Sequence, residues 1–150
     1  MRNDSWRNGR CTVIRQVAHI GIAVRDLDAA VRVYREELGL EELYREEVPD
    51  QRVTTAVFSA GETHIELLAP TSAESPVAKF IEKRGEGIHH VAYAVDDLEA
   101  KLDELKSKGV RLIDEKPRVG AGGHLIAFVH PKSASGVLTE MTQLASEDEK

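Results

Sequence analysis

The chain is expected to be an α+β protein built from two tandem βαβββ modules, and three observations carry that expectation. The segment HIGIAVRDLDA (His19 to Ala29) aligns without a gap with HVAYAVDDLEA (His90 to Ala100), so the chain contains an internal repeat. Each copy passes from a Val- and Ile-rich strand pattern into an aspartate-capped helical pattern. Each helix is then followed by three short strand-like segments. At 150 residues the chain has the length of one ordinary domain. Within it, module one is expected at about 16–70, a connecting helix at about 75–85, and module two at about 87–145.

The elements follow in order. Gln16 to Val24 is rich in Val and Ile and alternates in part, which predicts a strand. Asp26 stands at the N-cap of a helix whose apolar positions Leu27, Ala30, Val31, Tyr34 and Leu38 recur at helical spacing, and Gly39 ends it. Strands are expected over Glu41 to Glu47, Val53 to Ser59 and Thr63 to Ala69. Ser75 and Pro76 start the connecting helix, Val77, Phe80 and Ile81 form its apolar face, and Gly85 ends it. The second module repeats the plan. Its strand runs from Ile88 to Val95, its helix cap is Asp97, its stripe is Leu98, Leu102 and Leu105, and its stop is Gly109. Arg111 to Ile113, His124 to Val129 and Gly136 to Gln143 supply the last three strands. The acidic tail SEDEK is expected to be frayed and solvated.

Composition narrows the function classes. The chain is 41% hydrophobic and 31% charged, as a soluble globular protein is, and its net charge of −6 argues against generic nucleic-acid binding, which needs a basic face. Cys11 is the only cysteine, so there is no internal disulfide, thiolate cluster or CxxC pair, and a reducing cytoplasmic setting is the expectation. No apolar run spans a bilayer, and the polar start MRNDSWRNGRC has no signal-peptide core. Arg2, Arg7, Arg10 and Arg15 suggest an organellar presequence less well than a frayed terminus, because Asp4 interrupts them and no amphipathic pattern joins them.

The repeat also distributes chemistry. His19 and His90 open equivalent strands, and a glutamate follows each, 47 residues on at Glu66 (19 to 66) and 50 residues on at Glu140 (90 to 140). Two modules that each offer an imidazole and a carboxylate can together form a four-ligand site for a divalent metal. Strand alternation selects His90 over His89, since His90 is in register with His19 while His89 aligns with Ala18 and points the other way. A lone strand histidine is ordinarily a hydrogen-bonded core or surface residue. Here two matched histidines accompany two glutamates in apolar contexts, Ile65-Glu66-Leu67 and Thr139-Glu140-Met141, and a buried carboxylate needs a partner. The donor set suits divalent Co, Zn, Ni, Mn or Fe. An octahedral ion with four protein ligands keeps two positions for substrate oxygens and can stabilise an enolate. The GAGG stretch (Gly120 to Gly123) lacks the Lys-Ser/Thr of a P-loop and reads as a turn. His124 and His130 read as structural or surface groups, Lys132 as solvated, and Glu46 or Glu47 as minor candidates for the mouth of the site.

At these residues the chain resembles the vicinal-oxygen-chelate (glyoxalase/bleomycin resistance/dioxygenase) superfamily, and within it the methylmalonyl-CoA epimerase family. The resemblance runs from about Val17 to Leu144 and is carried by HIGIAVRDLDAAV, ETHIELLAPTSAESPVAKFIEKRGEGIHHVAYAVDD and LIDEKPRVGAGGHLIAFVHPKSASGVLTEM. It implies one domain whose modules form a cupped mixed sheet around a metal, with helices on the outer face. It implies His19, Glu66, His90 and Glu140 as metal ligands, Glu140 also as acid–base group, and a divalent ion that is commonly cobalt, with Zn, Ni or Mn as substitutes. The implied reaction interconverts (2R)- and (2S)-methylmalonyl-CoA through a chelated enolate. A cytoplasmic homodimer with no nucleic-acid or membrane partner is the matching expectation. One position departs from the family pattern: Thr55 stands where some members have a second acid–base glutamate, and threonine is no base at neutral pH. Glu47, a bound water and another group reached through Thr55 are the substitutes considered, with Glu66 a further one whose ligand role is better supported. Two other functions fit the same fold, a lactoylglutathione lyase and a metal-free small-molecule binding protein. SPVAKFIEKRGEGIHH and HPKS favour the epimerase over the lyase, and the intact His/Glu quartet counts against the metal-free binder.

Overall fold

The structure is a computed structural model that describes residues 6–7 and 10–144. Part of the polar N-terminal stretch and the SEDEK tail lie outside the described residues. A two-residue ribbon, β1 (Trp6–Arg7) against β2 (Arg10–Cys11), is followed by β3 (Ile14–Ala23), α1 (Leu27–Arg32), β4 (Glu41–Val48), β5 (Val53–Ala60), β6 (Thr63–Pro70) and α2 (Pro76–Arg84). The second half comprises β7 (Gly87–Val95), α3 (Leu98–Ser107), β8 (Arg118–Val119), β9 (Leu125–Val129) and β10 (Thr139–Gln143). Hydrogen-bonded neighbours run β4-β5-β6-β3-β7-β10-β9-β8. The expected α+β class with two βαβββ modules and a mixed sheet is therefore what the chain adopts.

Local chemistry explains the agreement. Asp26 Oδ1 accepts the Ala29 N–H at 3.1 Å, and its repeat mate Asp97 Oδ1 accepts that of Ala100 at 3.0 Å, so both helices start on the same cap. Gly39 (φ 81°) and Gly109 (φ 78°) end the two helical segments in the left-handed region that glycine adopts without cost. Beyond α1 the helical stripe continues as a π-turn over Val33–Glu37, closed by Leu38 N–H to Val33 O at 2.9 Å. Ser75 caps α2 by accepting from Val77 N–H at 3.2 Å, with Pro76 in the first turn.

Two expected strands differ. Arg111–Ile113 forms only a single bridge, Leu112 to Val129. The bonds Ile113 N–H to Phe128 O and His130 N–H to Arg111 O make that bridge, but the pairing stops there, because the Arg111 N–H donates to Ser133 Oγ and the Asp114 N–H turns back to Phe128 O. The ladder on that side is instead completed by the two-residue β8, too short to leave a periodic pattern. The last strand begins at Thr139 rather than Gly136, because Gly136 (φ 90°) and Val137 are held in a turn by N–H bonds to Pro131 O and Ala134 O.

Contacts divide the chain into two compact units, His19–His90, and Met1–Ala18 with Val91–Lys150. In the first, α1 covers one face of β5 and β6, and Val24, Val31, Ala56, Phe58, Leu67 and Ala69 close the core. In the second, α3 packs on β9 and β10 around Val95, Leu98, Leu102, Ala127, Val129 and Met141. Among the described residues no helix is long and apolar enough to cross a membrane.

The second unit also buries an ion pair. Lys101 Nζ lies 3.2 Å from Glu104 Oε1 and donates to Thr12 O at 3.1 Å, tying the N-terminal segment to α3. Burial alone would raise the Glu104 carboxyl, but hydrogen bonds from Thr12, Lys101 and Lys108 and the Lys101 charge hold it below its ordinary value. Its contribution to stability is therefore full above the ordinary carboxylate range and is lost as pH falls through the lowered value. Glu104→Leu should cost about 3 kcal/mol by leaving the Lys101 ammonium buried, whereas the double change with Lys101→Met should recover most of the loss. Urea denaturation of the two variants checks this, and a double variant as unstable as the single one refutes it.

Candidate metal site

Strand register builds the site. In the 19–90 unit β3 runs parallel to β6, with His19 opposite His64 and Gly21 opposite Glu66. In the other unit β7 runs parallel to β10, with Ala92 opposite Glu140. Gly21 and Ala92 are equivalent in the sequence repeat, and each lies two residues after its histidine, on the same strand face. The quasi-symmetry of the sequence thus holds in the register: each glutamate is set against the small residue that follows a histidine by two.

Within the 19–90 unit three of the expected residues converge. His19 Nε2 and His90 Nε2 are 3.0 Å apart, with the rings edge to face at 87°. Two imidazole nitrogens bound at 2.0–2.1 Å to one ion at angles near 90–110° would stand about 2.9–3.4 Å apart, so the pair fits a shared divalent cation. The second nitrogen of His19, Nδ1, meets Glu66 Oε2 at 2.8 Å. A carboxylate behind a ligand imidazole fixes its ring and raises its basicity. Glu66 is 9% exposed and His90 4%. Burial, then the nearby His19 and His89, push the His90 imidazole well below its ordinary value, which keeps it in the neutral form that binds metal.

Glu140, 3% exposed, lies on β10 between the Thr139 and Met141 of the sequence prediction. Within the 19–90 unit, His19 and His90 form a pair of side chains able to share a divalent metal ion. Glu66 approaches the pair from behind His19, through its contact with the outward nitrogen Nδ1.

Gly21 was not singled out by the sequence. A Cβ built there would come to 2.5 Å from His90 Nδ1 and 2.9 Å from Nε2. The imidazole therefore lies directly over bare backbone, a close approach that only glycine permits. The repeat carried the signal, since HIG in one copy answers HVA in the other. Gly21→Ala should displace the His90 ring, costing about 1–3 kcal/mol in stability through overpacking and about 10²-fold in metal-dependent activity through misplacement. Thermal melts and turnover measured together check it, and unchanged activity would show that the ring position is not needed.

The remaining candidates separate by face. Antiparallel register sets Val57 opposite Glu66 and Thr55 opposite both Leu68 and Glu46, so Glu46, Thr55 and Glu66 share one side of the strands. Glu47 pairs with Thr54 and is exposed on the other side, which corrects its candidacy for the mouth of the site. Tyr44 also sits here: burial, then the Glu66 and Glu46 charges, raise its phenol above the ordinary value. Thr55 is 1% exposed. His89, expected to point away, brings its Nδ1 to 3.0 Å from His90 Nδ1. Alternation sets the direction of the Cα–Cβ bond, but an imidazole at a strand start is long enough to turn back. His130 Nδ1 accepts the Lys132 N–H at 3.0 Å and caps a turn, and Ala121–Gly123 is a 3-10 turn, as both were read.

The chain is similar to known proteins along most of its length. The Glyoxalase/Bleomycin resistance protein/Dioxygenase superfamily model matches residues 18–128. The ethylmalonyl-CoA/methylmalonyl-CoA epimerase of Cereibacter sphaeroides is 41% identical over 134 residues, covering 88% of this chain and 100% of that protein. The crystal structure of methylmalonyl-CoA epimerase from Mycobacterium tuberculosis matches with a TM-score of 0.87 and 38% identity, over 98% of this chain and 95% of that one. A methylmalonyl-CoA epimerase in complex with methylmalonyl-CoA and NH4+ matches with a TM-score of 0.86 and 38% identity, over 89% and 97%.

Proposed function

Because the chain belongs to the glyoxalase/bleomycin resistance protein/dioxygenase superfamily and, within it, to the methylmalonyl-CoA epimerases, we propose that it is a metal-dependent isomerase interconverting (2R)- and (2S)-methylmalonyl-CoA. The observation that carries the reading is the match along nearly the whole chain to an epimerase solved with methylmalonyl-CoA. The paired His19 and His90 nitrogens supply the matching chemistry.

The C2 proton of the substrate lies between a thioester and a carboxylate, so its removal leaves charge that spreads onto the thioester oxygen. A divalent ion held by His19, Glu66, His90 and Glu140 would supply Lewis-acid stabilisation of that charge. We read the ion as Co2+, with Zn2+, Ni2+ or Mn2+ as substitutes, on the borderline-to-hard donor set. Glu66 orients His19 through Nδ1, and its second oxygen gives it the capacity to ligate as well.

Glu140 is assigned the acid–base role on one face of C2. Inversion requires a proton from the other face of the planar enolate, hence a second group. Thr55 is the wrong chemistry for it. Glu46, directly across from Thr55 on the Glu66 side, is the carboxylate in the right register. The enzyme is further read as a cytoplasmic homodimer with an acyl-CoA as its partner, not nucleic acid or membrane. Its single cysteine supports the setting, and its net charge of −6 argues against a generic nucleic-acid partner.

The test is to incubate cobalt-loaded protein with methylmalonyl-CoA in deuterated water and follow C2 by proton NMR. Exchange with interconversion of the epimers is expected, and exchange no faster than with cobalt alone overturns the function. Glu46→Gln should slow inversion by about 10²-fold or more while exchange on the Glu140 face persists, with Glu47→Gln unchanged. Equal behaviour of the two variants removes Glu46 from the reaction.

A further inference from the structure

We propose that His89 is a positioning residue of the metal site, holding the imidazole of His90 through a contact between their Nδ1 atoms. The inference rests on the reading of His90 as a metal ligand. A ligand imidazole uses one nitrogen for the ion, and its other N–H needs an acceptor that sets both tautomer and ring angle. His19 follows this rule with Glu66 at 2.8 Å on Nδ1. For His90 the inward nitrogen is Nε2, 3.0 Å from His19 Nε2, and the outward one is Nδ1, 3.0 Å from His89 Nδ1. A hydrogen bond donated by His90 Nδ1–H to His89 Nδ1 leaves the Nε2 lone pair facing His19.

The His89 ring is itself fixed. It meets the Phe80 ring of α2 edge to face, with centroids 5.0 Å apart at 72°, and crosses the His90 ring at 86°. The Arg84 guanidinium lies 5.8 Å from the Phe80 ring centroid. The connecting helix therefore reaches the site through Phe80, His89 and His90 in succession. Gly21 leaves room for the His90 ring from one side, and His89 determines its rotation from the other.

Metal-free protein would be titrated with Co2+, with heat and the visible cobalt spectrum as readouts, for wild type, His89→Phe, His89→Asn and His90→Ala. Circular dichroism gives the folded fraction, so that affinities refer to folded protein. Phenylalanine keeps a ring against Phe80 but has no nitrogen, whereas asparagine supplies an acceptor without the ring. His89→Phe should weaken cobalt binding about 10–100-fold and alter the spectrum, and His89→Asn should recover part of the affinity. Wild-type affinity in His89→Phe overturns the proposal, as does an equal loss in both His89 variants, which would assign the effect to packing. If His90→Ala binds cobalt like wild type, the ligand reading itself fails, an outcome distinct from failure of His89→Phe alone.

Discussion

Replacing His90 with alanine should abolish stoichiometric metal binding and epimerisation together. The ring is buried and its Nε2 is 3.0 Å from that of His19, so its removal takes away half of the imidazole pair, while the neighbouring His89 meets the opposite ring nitrogen, Nδ1. Loss of metal-supplied charge stabilisation, worth several kcal/mol, corresponds to a fall in turnover of about 10²–10⁴-fold. His19→Ala should act alike, with a further consequence: the Glu66 carboxylate, 12% exposed at its side chain, loses its 2.8 Å partner. His130→Ala is the control, because that ring only caps a surface turn. Metal analysis of dialysed protein beside the deuterium-exchange rate checks the prediction. Undiminished metal in both His19→Ala and His90→Ala would remove the site assignment, while lost exchange with retained metal would point to a substrate role for the histidines.

The second large effect is expected at Glu140, where turnover and metal content should part. Glu140→Gln keeps an amide oxygen at nearly the same place but cannot accept the C2 proton. Turnover should fall about 10²–10⁴-fold, the usual cost of removing a general base, while metal content falls much less. A parallel loss of both would mean that Glu140 acts only as a ligand. Glu66→Gln provides the contrast. Its repeat-equivalent position and its contact with His19 lead to a change mainly in metal affinity rather than in proton transfer. The two glutamates occupy equivalent registers, and the exchange assay with metal analysis tests whether their roles differ.

Much of this arrangement was legible in the linear chain because repeats and periods are local properties. The 19–29 and 90–100 copies announced two equivalent strands and caps, and the caps at Asp26 and Asp97 accept the same N–H three residues on. Alternation on a strand singled out His90, whose Nε2 meets that of His19, but gave no sign that the His89 ring turns back to it. The weaker readings failed where local pattern is thin. Arg111–Ile113 has strand composition but pairs with β9 through one bridge only, its Arg111 N–H going to Ser133, and β8 is two residues long.

Sequence alone was enough for the α+β class, the two modules and the identity of His19, Glu66, His90 and Glu140 as candidates, since each follows from period, capping and residue chemistry. Register across strands that are distant in sequence needed the folded chain. It turned the choice between Glu46 and Glu47 by setting Glu46 against Thr55, showed that Gly21 is bare because an imidazole lies on it, and brought the His89 ring back to His90. A period of two says which residues share a face of one strand. It does not say which residue of another strand will stand beside them, because that is settled by how whole strands hydrogen-bond and how the helices pack on them.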